Sequence, residues 1–103
     1  ILKKEIPADI VFENEEVLAF KDIRPMAKEH YLFISKNHSQ NFNEMNSKDI
    51  IHVTEAIKIF SESEKLVDDG YRVVTNINKN GGQTVFHTHY HVLGGQQLGS
   101  FGV

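Results

Sequence analysis

The stretch His87-Thr88-His89-Tyr90-His91-Val92-Leu93, closing on Gly94-Gly95, holds three of the chain's six histidines at alternating positions. A strand sends successive side chains to opposite faces, so His87, His89 and His91 are expected to share one face of a strand running from Thr84 to Leu93. Neighbouring members of the row would then stand roughly 6.6–7 Å apart. A helix would scatter them around its axis.

Outward from this row, the chain reads as a short alternation of strands broken by one helix. Ile10-Val11-Phe12 and Val17-Leu18-Ala19-Phe20 flank a polar turn, which predicts a hairpin. Pro25 closes the second strand, because it disfavours helix at Arg24 and cannot donate to a ladder. His30 to Ile34 is aromatic and branched, a third strand. Asn46 to Asp69 keeps Ile50, Val53, Ile57 and Phe60 on one helical face, with Asn46 or Ser47 as cap and Gly70 as stop. That face is expected to cover a sheet, with His52 at the surface. Tyr71 to Asn76 is a fourth strand, and Asn78 to Gln83 a turn rich in residues that tolerate positive φ. Ile1 to Ile6, ended by Pro7, suggests the tail of a helix. The order predicts an α+β fold: a five-stranded antiparallel sheet with one main helix, in a single domain over 1–103.

The chain has 103 residues, and a domain of that size buries only about 60–65% of the surface its unfolded chain exposes, so a partner subunit would help. A net charge of −3 argues against a general nucleic-acid binder, whose footprint is basic. No apolar run approaches the ~20 residues of a membrane span, and no secretory signal is evident. There is no cysteine, which removes disulfides and thiolate ligands within these residues and is compatible with a cytoplasmic setting. The chain opens at Ile1 without a methionine, which leaves room for residues upstream.

Spacing alone leaves three readings of the histidine row open. Two imidazoles at i and i+2 can reach one metal ion, with His30 or His38 joining, but a third ligand four residues along a straight strand converges poorly. Packing is a second reading, though several buried imidazoles each need hydrogen-bond partners. Nucleophilic and acid–base chemistry on an anion is the third. The preceding Gly81-Gly82-Gln83-Thr84 favours it, because glycine lets backbone N–H groups approach an anion and threonine adds a hydroxyl.

Taken together, the run from Gly81 to Gly95 resembles the signature of the histidine triad superfamily. Glu5-Ile6-Pro7, Phe20 to Pro25 and His30 to His38 resemble its nucleotide-binding, Hint-like branch in the same order. The resemblance implies a homodimer joining two sheets into one of ten strands. It implies hydrolysis of purine nucleoside 5′-phosphoramidates, AMP or GMP amides, through a nucleotidyl-histidine intermediate. By position, His89 would be the nucleophile, His91 would bind phosphate and assist the leaving group, and His87 would hold the site by hydrogen bonding. His30 would be a further proton donor or orienter near the phosphate. Asn76, Gly82, Gln83 and Thr84 match the phosphate-contacting turn. Asp22 matches the carboxylate that grips the ribose, and Phe20, Ile23 and Leu32 the base pocket, with Ile1 at its edge. No metal or other cofactor is expected, since imidazoles and backbone donors can supply the electrostatic stabilisation. Thr88 stands where an apolar residue is usual, and the tail from Gln96 lacks the tryptophan of some relatives, which bears on the leaving group. Two alternatives stand beside this reading: a nucleotide-binding or partner-docking protein with vestigial turnover, and a dinucleotide polyphosphate hydrolase or nucleotidyl transferase of the same superfamily. A metallo-hydrolase using the row is a third.

Overall fold

A computed structural model describes residues 9–100. Expectations placed on Ile1 to Pro7 lie outside the described residues. Strands β1 (Ile10–Glu13), β2 (Val17–Lys21), β3 (Glu29–Ser35), β4 (Arg72–Val74) and β5 (His89–Gly94) form one five-stranded sheet in the order β1-β2-β3-β5-β4. Every neighbouring pair is antiparallel. Helix α1 (Ser47–Ser63) covers one face.

The hairpin forms where the polar turn predicts it. The Asn14 carboxamide accepts from the N–H groups of Glu16 and Val17, both at 2.8 Å, and so closes the reversal between β1 and β2. Alternation then sorts the sheet. Val17, Ala19, Tyr31, Phe33, Tyr90 and Val92 pack with Val53, Ala56, Ile57 and Phe60 of α1 into the core. Phe60 meets Tyr31 and Phe33 edge-on, with ring centroids 4.7 and 5.5 Å apart.

The opposite face carries the chemistry. Cross-strand register lines up Ile10, Phe20, Leu32, His91 and Val74 in one row across all five strands. Leu18, Ile34 and His89 form the row beside it. Phe20 and His91 are two strands apart, roughly 10 Å at ordinary strand spacing.

The helix is shorter than its pattern predicts, ending at Ser63 rather than Asp69. Asn46 caps the start, accepting from Asp49 N–H at 2.9 Å. At the end, Lys65 takes φ 59, Leu66 N–H returns to Ser61 O at 2.9 Å, and Lys65 N–H returns to Glu62 O at 3.2 Å. That is a Schellman close with lysine where glycine is usual, sealed by burial of Leu66. Gly70, at φ 96, serves a later turn. His52 is half-buried rather than at the surface. The fourth strand is confined to Arg72–Val74 and the fifth starts at His89, five residues later than expected.

Candidate active site

The late start of β5 divides the histidine row. His89 and His91 lie in the ladder, and their rings stand 5.1 Å apart at 70°. His87 precedes the strand, on a segment pinned at both ends to one loop. Gln83 Nε2 donates to Gln40 O at 2.6 Å, and Thr88 N–H donates to Ser39 O at 2.8 Å. The Thr88 and Ser39 hydroxyls add a bond of 2.6 Å. Thr88 is therefore a buried polar anchor, not an outward strand residue. This pinning sets the His87 ring against His38, with Nδ1 atoms 2.7 Å apart.

His89 is oriented by main chain. Its Nδ1 lies 2.8 Å from the His87 carbonyl oxygen. A carbonyl only accepts, so Nδ1 carries the proton and Nε2 keeps its lone pair. A neutral imidazole with a free Nε2 lone pair is a nucleophile.

His91 is oriented by side chain. His30 sits beside it on β3, with His30 Nε2 2.9 Å from His91 Nδ1. The loop after β2 supplies two further contacts. Met26 N–H donates to His30 Nδ1 at 3.0 Å, and Asp22 Oδ2 lies 3.5 Å from His30 Nε2. Asp22 is itself held by its N–H to His30 O at 3.0 Å and by Arg24 N–H on its Oδ1 at 2.8 Å.

Burial dominates the electrostatics. It lowers the pKa of His30, against a smaller raising effect of Asp22. It brings His91 down to about 4, helped by the neighbouring His89 and His30 and opposed by Asp22. It lowers His87 as well, with His38 adding to the effect and the Ser35 carbonyl opposing it. His30, His87 and His91 are thus uncharged at neutral pH.

The glycine turn is built much as its composition suggests, around a short 3-10 segment (Lys79–Gly81). Asn78 and Gly82 take positive φ, 58 and 82. The expected phosphate contacts divide. Gln83 is buried and its side chain is committed: Oε1 accepts from Asn78 N–H at 2.7 Å, and Nε2 donates to the carbonyls of Gln40 and Val85. The Asn76 amide donates to Gly81 O at 2.7 Å. Gly82 and Thr84 are exposed. Of the expected base-pocket residues, Phe20 and Leu32 are paired across β2 and β3 and partly buried, while Ile23 is 79% exposed on the loop.

Asp22, His30 and His91 each offer a ligand atom within 4.8 Å of the others, which on distance alone suits a metal ion. The donor chemistry does not fit. A metal at His30 Nε2 would force that ring's proton onto Nδ1, where Met26 N–H already donates.

Known proteins share this fold. The HIT domain family model matches residues 3–98. The chain belongs to the HIT family. It is 41% identical over 110 residues to the Escherichia coli K12 protein called purine nucleoside phosphoramidase, spanning 96% of this chain and 86% of that one. A HIT family hydrolase from Legionella pneumophila superposes with a TM-score of 0.86 at 43% identity, covering 93% and 88% of the two chains. A histidine triad protein from Clostridium difficile gives 0.88 at 34%, covering 95% and 88%. The HIT fold is the five-stranded sheet and single main helix described above, and the chain is a HIT-family hydrolase.

Ser39 is a site neighbour that the sequence pattern did not single out, and His38 entered it only as a possible metal ligand, not as the partner of His87. A lone His-Ser pair at a strand end carries no periodic signal, and its partners lie 49 residues away.

Proposed function

We propose that the chain hydrolyses purine nucleoside 5′-phosphoramidates, AMP or GMP amides, through a nucleotide bound covalently to His89. One observation carries the reading: the His87 carbonyl takes the His89 Nδ1 proton, which leaves the Nε2 lone pair free beside His91. The name of the Escherichia coli relative supports the substrate class.

The base lies over Phe20 and Leu32, edged by Ile23, and Asp22 accepts the ribose hydroxyls. Phe20 and His91 are about 10 Å apart, two strand spacings, which suits the reach of a nucleotide from base to phosphate. The α-phosphate rests against His91 and the turn at Gly82 to Thr84. The Gln83 side chain braces that turn and Gly82 N–H already donates to Lys79 O at 3.0 Å, so Thr84, with its hydroxyl and main-chain N–H, is the contacting member. His89 Nε2 attacks phosphorus, the nitrogen leaves as an amine rather than as an amide anion, and water then releases the nucleotide from His89. His30 orients His91, and His87 orients His89 through its carbonyl.

The working unit is a homodimer joined into one ten-stranded sheet. The β1 edge is interrupted by a register shift between Ile10 and Phe12, whereas β4 is a short, regular edge with Val73 exposed, so β4 is the edge suited to pairing. No helix among the described residues is long and apolar enough to cross a membrane. A nucleotide-handling chain without cysteine suits the cytoplasm.

The test is turnover of an adenosine phosphoramidate by the parent and by His89→Ala. The proposal expects turnover that the variant loses. Equal rates would remove His89 as nucleophile, and AMP binding without turnover in the parent would make the chain a binding module.

A further inference from the structure

Both ring nitrogens of His30 are committed within the protein. Nδ1 accepts from Met26 N–H at 3.0 Å, and Nε2 faces His91 Nδ1 at 2.9 Å. A main-chain amide only donates, so His30 Nδ1 presents a lone pair. A neutral imidazole has one lone pair and one N–H, which places the His30 proton on Nε2. That proton is donated to His91 Nδ1, and His91 in turn carries its own proton on Nε2. An added proton has nowhere to go. On His30 Nδ1 it would face Met26 N–H, and on His91 Nδ1 it would face His30 Nε2–H.

The groups around the pair do not undo this. His30 is only 4% exposed. His89 of β5 adds a second imidazole beside His91, and β4 opposes His91 with the apolar Val74. Asp22, from the loop after β2, favours positive charge, but its Oδ2 stands 3.5 Å from His30 Nε2, while Arg24 N–H is held on Oδ1.

We propose that the Met26 amide locks the His30–His91 pair in a neutral form, so that His91 Nε2–H is a neutral hydrogen-bond donor to the phosphate, and the proton leaving with the amine arrives on the substrate nitrogen. The inference rests on the phosphoramidase reading and deepens it. The step balances. The bridging nitrogen enters as P–NH2⁺–R beside an anionic phosphate oxygen. His89 Nε2 forms the new bond to phosphorus, the P–N bond breaks, and nitrogen takes the bonding pair to leave as a neutral amine. His89 becomes the cationic nucleotidyl-imidazolium, its Nδ1–H still on the His87 carbonyl. A neutral His91 cannot serve as a strong acid, so simple alkyl esters of AMP, whose alkoxide needs a proton, bind without turning over.

Met26 acts here as a positioning residue, through its N–H alone; its side chain is 61% exposed. The test is nitrogen-15 NMR of the histidine rings in the free protein and with AMP added. The expected result is neutral Nε2–H tautomers for His30 and His91 at about pH 7 in both states. Met26→Pro removes the N–H, and imidazolium signals from the pair should then appear near pH 6; Met26→Ala keeps it and should match the parent. In the parent, kcat/KM for an adenosine phosphoramidate should fall about tenfold per pH unit above neutrality, following the protonated substrate. Imidazolium at His91 in the parent's AMP complex, or a pH-independent kcat/KM, would overturn the proposal. If Met26→Pro does not fold, the parent spectra still decide. Tautomers as expected with no phosphoramidate turnover would instead fail the underlying functional reading.

Discussion

Two histidine pairs flank His89, and they are built differently. His30–His91 joins two strands of the ladder, and its outer nitrogen is stopped by the Met26 amide. His38–His87 joins two segments outside the ladder, pinned through Ser39, Gln40 and Thr88, and its outer member is exposed. In the proposed reaction the first pair acts through a side chain, His91. The second bears on it through a main-chain atom, the His87 carbonyl that holds His89. Chemically equal residues, four positions apart, thus act by different means because one lies inside the strand and the other before it.

Substitutions should separate the two. His91→Ala removes the ring proposed to face the phosphate, and kcat for an adenosine phosphoramidate should fall by about 10²-fold or more, on the scale of losing a donor aimed at developing charge. His87→Ala keeps the carbonyl, so kcat should fall by about tenfold or less while stability drops by about 1–3 kcal/mol, because His38 loses its partner beside a new void. Thermal unfolding and steady-state kinetics on the same samples check both. Equal kcat losses would break the distinction.

Asp22→Asn tests the surroundings of the His30–His91 pair. If Asp22 grips the ribose as proposed, weakening those bonds should raise KM by about tenfold, with a smaller change in kcat.

Acid should act on the His30–His91 pair through stability. His91 has its folded pKa lowered to about 4, beneath the ordinary value of 6.5, so the unfolded chain binds more protons between these values. Stability is fully present above about pH 6.5 and declines as pH falls toward 4. His91→Ala should flatten that decline in melting temperature, and an unchanged slope would assign it elsewhere. The smallest effect belongs to the end of β5. Gly95 has φ 78, and an added Cβ would stand 2.7 Å from Glu29 Cγ, so Gly95→Ala should cost about 1–2 kcal/mol with little change in His89 chemistry.

Much of this was legible in the sequence, where local chemistry and long-range fold agree. The hairpin was legible because Asn14 sits where a turn needs a side-chain acceptor. The helix stripe was legible because Val53, Ile57 and Phe60 repeat at helical spacing. The alternation at His89 and His91 was legible because both lie in the ladder. The rest depended on contacts that pattern does not record. Lys65 closes α1 in a conformation usually left to glycine, so Gly70 drew the boundary too far along. Gln83 matches the phosphate-contacting turn, and pattern does not record that its side-chain amide is held between Asn78, Gln40 and Val85. His87 reads as a third member of the face until Thr88 is found bound to Ser39. Met26 offers only a main-chain N–H, which no residue identity reveals.

The central claim is that His89 takes the nucleotide, and trapping that intermediate tests it most directly. The protein would be incubated with a slowly cleaved adenosine phosphoramidate, quenched, digested and examined by mass spectrometry. The account predicts an AMP-sized mass increase on the peptide containing His89, localised to that residue and missing in His89→Ala. Turnover with the label on another residue, or retained label in His89→Ala, would contradict it.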